Sequence, residues 1–436
     1  MPPSRRQIGL PGAAALVVSS MIGTGVFTTS GFALALLGDP GPVLLAWVLG
    51  GLLAACGALS YGALARRFPE SGGEYALLTR TVHPLAGFLA GWVSLLAGFT
   101  APIAAAALAL AAYLAGIVDG LPAEWLATAA IVVAAVLQGV RVRIGVGFQV
   151  VAVSIELLLV VGFIAVGVLA PHAAPGGSLP DPAAPTLGGF AVTLVWVSFA
   201  YSGWNAAVYI AGEVRRPDRD LIRALLLGTM VVTVLYVGLN AVFLSAAPPA
   251  ALAGAANVGA VAAEAIGGPG LRLAVSLLVA IALFTSLSAM MMAGPRVYGR
   301  MAEDGLLPRL VAAGSDAPAG AVALQAGLAV IVVWFATLAE LLSYIGFTLG
   351  LSAAGTVAGL MALRRREGAA RLRVPGYPLT PALFVGVTLA ISGFLIAREP
   401  DEAAIGLLTV LSGLPVYWLR ARRRRASPGA SRDLHT

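Results

Sequence analysis

Long apolar runs recur twelve times along the 436 residues of this chain, each of about 20 residues or more with few charges. About 20 consecutive apolar residues are enough for a helix to cross the hydrocarbon core of a bilayer, so each run predicts a transmembrane helix. We number these spans 1 to 12, with predicted bounds 9–37, 41–64, 84–117, 123–140, 146–170, 188–212, 221–246, 270–294, 319–337, 340–363, 379–397 and 402–420. The predicted fold class is therefore an all-α integral membrane protein with twelve transmembrane helices.

The composition excludes most soluble classes of protein. Apolar residues make up 59% of the chain and charged residues 11%, against roughly 45–50% and about 25% in soluble domains. The net charge of +7 would favour a nucleic-acid partner only if the basic residues formed one solvated face. They flank the apolar runs instead, so the expected partner is the lipid bilayer. With one cysteine and three histidines, we predict no metal site and no cofactor.

The arginines give the predicted orientation. All 27 basic residues are arginine, and cytoplasmic loops of membrane proteins carry an excess of positive charge. With the N-terminus inside, twelve spans leave only Arg272 and Arg398 on the outer side. We predict a multi-pass protein of the cell membrane with both termini cytoplasmic and a basic tail over 421–436.

Two glycine-containing interruptions lie near the middle of apolar spans. One is the run from Met21 to Phe27 in span 1, and the other is the run from Ser198 to Asn205 in span 6. An unpaired backbone group in lipid costs several kcal/mol, so an interruption there needs another purpose. The two interruptions are five spans apart, an odd offset that inverts topology. Interrupted spans at corresponding places in two halves point to the binding site of a transporter.

Such interruptions suit a zwitterion with a carboxylate. The helix that resumes after Gly25 is expected to present free N–H groups and a positive dipole end to an anion. The carbonyls that end each broken half can accept hydrogen bonds from an ammonium group. The predicted substrate-binding residues are Ile22, Gly23, Thr24 and Gly25 in span 1 and Phe199, Ala200, Tyr201, Ser202, Gly203 and Trp204 in span 6. Glycines that serve only close helix packing are the alternative interpretation.

The motifs resemble those of the amino acid–polyamine–organocation superfamily, close to its bacterial amino acid permeases and L-type transporters. They are IGTGVF at 22–27, FPESGGEY at 68–75, FAYSGWN at 199–205 with GEVRRP at 212–217, RVY at 296–298 with MAEDGLLP at 301–308, and RVPGYP at 373–378. The resemblance implies one membrane transport domain over 1–436 with a five-plus-five inverted repeat, like that of leucine transporters. Repeat one then covers about 8–170, repeat two about 188–364, and helices 11 and 12 about 379–420. It also implies alternating access, in which a bundle of spans 1, 2, 6 and 7 rocks against a scaffold.

Glu156 is the acidic residue predicted deepest in a span. If span 5 begins near Val146, Glu156 lies about 15 Å inward at 1.5 Å per residue. An ionisable group there is a functional-site hypothesis by default. We expect it to face the first interruption and Thr285, Ser286 or Ser288 of span 8, and to couple transport to protons. Relatives of this superfamily are expected to carry lysine here, so the reversed sign leaves sodium coupling, uncoupled exchange or a purely structural carboxylic acid open.

The function expected from these residues is secondary-active amino acid transport. No acidic residue lies near either interruption in the sequence, which favours neutral amino acids. An uncoupled amino acid exchanger and a polyamine or cationic amino acid transporter remain alternatives, and a membrane amino acid sensor is the alternative from another class. An ATP-driven pump is disfavoured because no GxxxxGK[ST] motif occurs, and we predict no enzymatic activity.

Overall fold

A computed structural model of the chain describes residues 8–69, 72–115, 117, 120–139, 146–170, 185–303 and 319–426. These residues are almost entirely helical. A single parallel bridge pairs Ile8 with Val214, so the start of the described chain is attached to the segment that follows span 6. The N-terminal arginines, most of the loop after span 8 and the last ten residues lie outside the described part.

Helices occupy the position of every predicted span. In chain order they are Leu10–Met21 with Thr24–Leu37, Pro40–Arg67, Pro84–Leu114, Ala123–Gly139, Val146–Leu169, Leu187–Ala200, Pro217–Ala246, Val258–Glu303, Ala319–Phe335, Leu338–Glu367, Leu379–Arg398 and Pro400–Ala426. A short helix, Gly73–Thr81, lies between spans 2 and 3. Another, Pro249–Leu252, follows span 7.

Length and apolar composition identify a multi-pass membrane protein. Among the described residues, seven helices pass both criteria for crossing a membrane, or eight if the two halves of span 1 count as one crossing. The helices of spans 4, 5, 6 and 9 are apolar but shorter over their described residues. Twelve crossings and the inverted repeat therefore stay predictions.

Three spans differ in detail from the sequence-based bounds. Span 8 is preceded by a further helical segment that begins at Val258 and joins it through non-helical backbone at Gly267 and Gly268. Span 3 contains a π-helical segment, Ser94–Thr100, and such segments often occur at functional sites. After its interruption span 6 does not resume as a long helix, because Ala206–Tyr209 is only four residues long.

Glycines bring spans 1, 2, 6 and 7 into close contact. A Cβ added to Gly51 of span 2 would lie 2.4 Å from Thr233 of span 7, and one added to Gly228 of span 7 would lie 2.6 Å from Val17 of span 1. A Cβ on Gly50 would lie 2.4 Å from Val197 of span 6. Small residues at these positions let helix backbones approach closely, which is the main source of helix association in a membrane. The four spans of the expected rocking bundle are thus packed together.

Candidate functional site

The helix of span 1 stops in the middle of the bundle. Its first half ends at Met21 and its second half begins at Thr24, with a bend of 42° between them. Gly23 is the N-cap of the second half and has extended backbone, and no side chain caps this end. The first N–H groups of a helix have no partner within it, so those of Thr24, Gly25 and Val26 are available to a ligand. The helix resumes one residue before Gly25, earlier than the sequence analysis placed it.

The interruption of span 6 lies directly against that of span 1. The first half of span 6 ends at Ala200, and turns lead through Gly203, whose φ is +98°. A Cβ added to Gly25 would lie 2.5 Å from both Cα and Cβ of Ala200, and one on Gly203 would lie 2.3 Å from the carbonyl oxygen of Ser20. Glycine is therefore required where the two broken helices touch. The carbonyl of Phe199 already accepts from the Ser202 N–H at 2.8 Å, which leaves it one lone pair for a ligand.

A cavity of about 1160 Å³ surrounds the two interruptions. All ten residues predicted to bind substrate line it, and so do Glu156, Thr285 and Ser286. Ser286 Oγ would be 3.6 Å from a Cβ on Gly23, so span 8 lies beside the first interruption.

Two of the predicted residues have structural surroundings. Ser288 does not line the cavity and is buried. Tyr201 is 1% exposed and its hydroxyl donates to the Trp47 carbonyl at 2.9 Å, so its main contacts are structural.

Tyr236 of span 7 joins the two broken helices, and sequence reasoning missed it. Its hydroxyl donates to the carbonyl of Met21 at 2.5 Å and lies 3.3 Å from the carbonyl of Ala200. Both carbonyls end a helix half, so neither has a full set of partners within its own helix. The ring packs against Trp47 and Tyr201, with centroids 5.4 and 5.2 Å away. The Tyr236 hydroxyl therefore links the helix ends at the two interruptions.

Replacing Tyr236 with phenylalanine is expected to reduce transport about tenfold while the protein still folds. The substitution keeps the ring packing but leaves two buried carbonyl groups without this donor, at a cost of about 1–3 kcal/mol. Initial uptake rates of purified protein in proteoliposomes measure the effect. Tyr417→Phe, at the far end of span 12, is the matched control. An uptake rate equal to that of wild type would contradict the assigned role.

Glu74 corrects one expectation from the sequence. No acidic residue is near either interruption in the sequence, yet the short helix after span 2 brings Glu74 beside the end of span 6. Its carboxylate accepts hydrogen bonds from Asn205 and Tyr209, and from Tyr61 at 3.2 Å. Glu74 is 8% exposed. Because three donors occupy its two oxygens, this carboxylate fixes the second half of span 6 in place.

Within the part of the chain that the structure describes, the cavity extends to one end of the bundle. Its lining continues to Pro69, Gly72, Tyr75 and Gly212, at the arginine-rich end. Towards the other end, the Tyr113 hydroxyl donates to the Phe27 carbonyl at 2.8 Å, and the Gly254 N–H donates to the Gly31 carbonyl at 2.8 Å. These contacts attach the second half of span 1 to its neighbours, and none of the four residues lines the cavity. The described structure is thus open towards the arginine-rich end.

Two broken helices that meet in a cavity open to one end define a membrane transporter of small molecules. The family model described as amino acid permease matches residues 8–406. The chain belongs to this family, within the amino acid–polyamine–organocation superfamily, and the resemblance found in the sequence motifs is confirmed. The proteins of this family to which the chain is similar are transporters and not enzymes.

Individual relatives agree along nearly the whole chain. It is 28% identical over 440 residues to the serine/threonine exchanger SteT of Bacillus subtilis, covering 97% of this chain and 98% of the relative. It is 26% identical over 432 residues to the Asc-type amino acid transporter 1 of Mus musculus, covering 95% and 81%. It is 27% identical over 433 residues to the large neutral amino acids transporter small subunit 2 of Oryctolagus cuniculus, covering 95% and 80%. Amino acid transport is thus the activity of these relatives.

Proposed function

We propose that this permease carries neutral amino acids across the cell membrane by alternating access, with the α-amino and α-carboxylate groups held between the two interruptions. The observation that carries the proposal is the direct apposition of Gly25 and Ala200 within the cavity. The free N–H groups from Thr24 to Val26 receive the carboxylate. Carbonyls that end the two helix halves receive the ammonium. Ile22, Gly23 and the turn from Tyr201 to Trp204 line the space between.

The state of Glu74 favours a neutral side chain. It and Glu156 are the acidic residues that line the cavity within the described residues, and three donors already occupy Glu74. A cationic side chain would have to displace these donors. Two of the relatives, a serine/threonine exchanger and a large neutral amino acids transporter, support the same substrate class. Putrescine or arginine uptake at rates above those of every neutral amino acid would contradict it.

Glu156 is the proposed proton-coupling group, beside Thr285 and Ser286. It lies in span 5, lines the cavity and has no hydrogen-bond partner among the described residues. A carboxyl group at this depth in the membrane costs far less free energy in its protonated form than in its ionised form. Its protonation state can therefore change as the cavity opens to each side. Ser288, which is buried outside the cavity, has no part in this proposal.

Glu156→Gln is expected to remove the dependence of uptake on a pH gradient. Glutamine keeps the size of the side chain and mimics the protonated acid, but it cannot lose a proton. The measurement is uptake of a radiolabelled neutral amino acid into proteoliposomes with and without an inward proton gradient. Glu264→Gln, at the outer end of span 8, is the control and should respond as wild type does. A Glu156→Gln protein that keeps both its rate and its pH response would rule out the coupling role.

Exchange without a coupling ion is the second candidate mode, favoured because the Bacillus subtilis relative is an exchanger. It predicts uptake only into vesicles preloaded with an amino acid. Net uptake into empty vesicles, increased by an inward proton gradient, would instead support symport. A protein that binds amino acids tightly but moves none would fit the sensor alternative.

The orientation follows from the charge distribution. The cavity opens at the end that carries Arg66 and Arg67, and positive loops face the cytoplasm. We therefore propose that the described conformation is open to the cytoplasm, with both termini on that side. Twelve crossings arranged as two inverted repeats would place the two interruptions at equivalent positions in the two halves.

A further inference from the structure

The central cavity extends beyond the interruptions to span 11. Phe384, Thr388, Ile391 and Ser392 line it and lie on one face of that helix, at spacings of three and four residues. Its volume of about 1160 Å³ exceeds the roughly 300–1,000 Å³ typical of a small-molecule pocket. The space is thus larger than the α-amino and carboxylate groups require, and part of it lies beside span 11.

Two hydroxyl groups on this face have no hydrogen-bond partner among the described residues. Thr388 and Ser392 are 5% and 4% exposed and both line the cavity. In other spans a serine or threonine hydroxyl commonly donates to the carbonyl four residues earlier, as Thr28, Ser94 and Thr348 do. Thr388 and Ser392 make no such bond. Because both residues line the cavity, a water molecule or a ligand there can provide the missing hydrogen bonds.

Gly350 of span 10 packs closely against Thr388, and neither it nor Phe384 of span 11 carries a charge. On span 10, Gly350 has no side chain, and a Cβ there would lie 3.3 Å from Cγ2 of Thr388. One turn before Thr388, the ring of Phe384 packs against Trp204, with centroids 5.8 Å apart. Trp204 belongs to the second interruption, so this pocket adjoins the proposed amino acid site. The charged residues among the described lining, Glu74 and Glu156, lie on other elements.

We propose that Thr388 and Ser392 form a subsite for the polar, uncharged side chain of the substrate, such as a hydroxyl group. A hydroxyl can donate to one of these oxygens and accept from the other, while the aromatic edge of Phe384 contacts its carbon atoms. This inference rests on the proposed function and names residues that set specificity within it. Leaving both wall hydroxyls unpaired disfavours an apolar side chain of the same size.

The test compares L-serine with L-alanine, which differ by one hydroxyl group. Thr388→Val, Ser392→Ala and the double variant are reconstituted in proteoliposomes, and kcat/KM is measured for both amino acids. Removal of one hydrogen bond is expected to lower the serine-to-alanine ratio about three- to tenfold, and the double variant should lower it further. Thr348→Val is the matched control, because its hydroxyl is bonded within span 10 and does not line the cavity. Its ratio should equal that of wild type.

The outcomes separate this inference from the function on which it rests. Alanine uptake by the wild-type protein tests the proposed function alone, and the ratio tests the subsite. If the double variant still transports both amino acids and its serine-to-alanine ratio is unchanged, the subsite is overturned. If Thr388→Val does not fold, Ser392→Ala gives the same ratio test. A wild-type protein that neither binds nor transports any neutral amino acid overturns both.

Discussion

Replacing Gly25 with alanine is expected to reduce amino acid uptake to background. The added methyl group would lie 2.5 Å from Cα and Cβ of Ala200, a distance at which one backbone must move. Overpacking of a tight interior costs typically about 1–3 kcal/mol. Here the shift also separates the two interruptions that form the proposed site. Initial rates of uptake and thermal stability of the purified protein measure the two consequences.

Gly23→Ala is the matched control for this prediction. Gly23 has extended backbone with φ of −172°, which any residue adopts, and its added Cβ would have only Ser286 Oγ nearby, at 3.6 Å. We expect Gly23→Ala to fold with the stability of wild type. If Gly25→Ala transported normally, the close contact between the two broken helices would not be needed for function.

Replacing Glu74 with alanine is expected to lower uptake at least about tenfold and to lower thermal stability. The carboxylate holds Asn205 and Tyr209, which lie on either side of the point where the short helix of span 6 begins, and Tyr61 of span 2. Alanine would leave three donors without this acceptor, and for the fully buried hydroxyl of Tyr61 the loss costs about 1–3 kcal/mol. The second half of span 6 is only four residues long, so the Glu74 carboxylate contacts both ends of it through Asn205 and Tyr209.

Glu213→Ala serves as the control for Glu74, because Glu213 is exposed and only its backbone is bonded to Ile8. Glu74→Gln should give an intermediate result, since an amide oxygen accepts but the amide N–H₂ group faces a second donor. If Glu74→Ala had the uptake rate and thermal stability of wild type, Glu74 would not be needed to hold the second half of span 6.

The interruptions could be predicted from sequence because their signals are local. Gly23 and Gly25 in one apolar run, and Gly203 in another, are unusual where backbone groups need internal partners. The predicted start of span 8 at residue 270 lies just after the non-helical backbone of Gly267 and Gly268. The positions of the spans could be predicted for the same reason, because their length and low charge are properties of consecutive residues.

The side chains that complete the site could not be predicted because they come from distant parts of the chain. Tyr236 and Met21 are 215 residues apart, and Glu74 and Asn205 are 131 apart. In the sequence, Tyr236 is one aromatic residue in an apolar run, and Glu74 is one loop carboxylate. Only tertiary packing brings them to the interruptions. Thr388 and Ser392 gave no signal either, because a hydroxyl that bonds its own helix and one that faces a cavity have the same sequence context.

The order of the contacts suggests which parts move together. Tyr236 joins spans 1, 6 and 7, and Glu74 joins span 2 and its following helix to span 6. Glycine packing joins spans 2 and 7. Under the proposed alternating access we expect this connected bundle to move as a unit. Residues of spans 8, 10 and 11 also line the cavity. Under the same proposal, we expect the contacts of Phe27 with Tyr113 and of Gly31 with Gly254 to separate when the cavity opens to the other side.

A cryo-EM structure of the protein with a transported amino acid bound tests the central claim most directly. The account predicts density between the two interruptions, with the carboxylate within hydrogen-bonding distance of the N–H groups of Thr24, Gly25 and Val26 and the ammonium facing carbonyls that end the helix halves. Density for the amino acid elsewhere in the bundle, with a continuous hydrogen-bonded helix through residues 21–25, would contradict it.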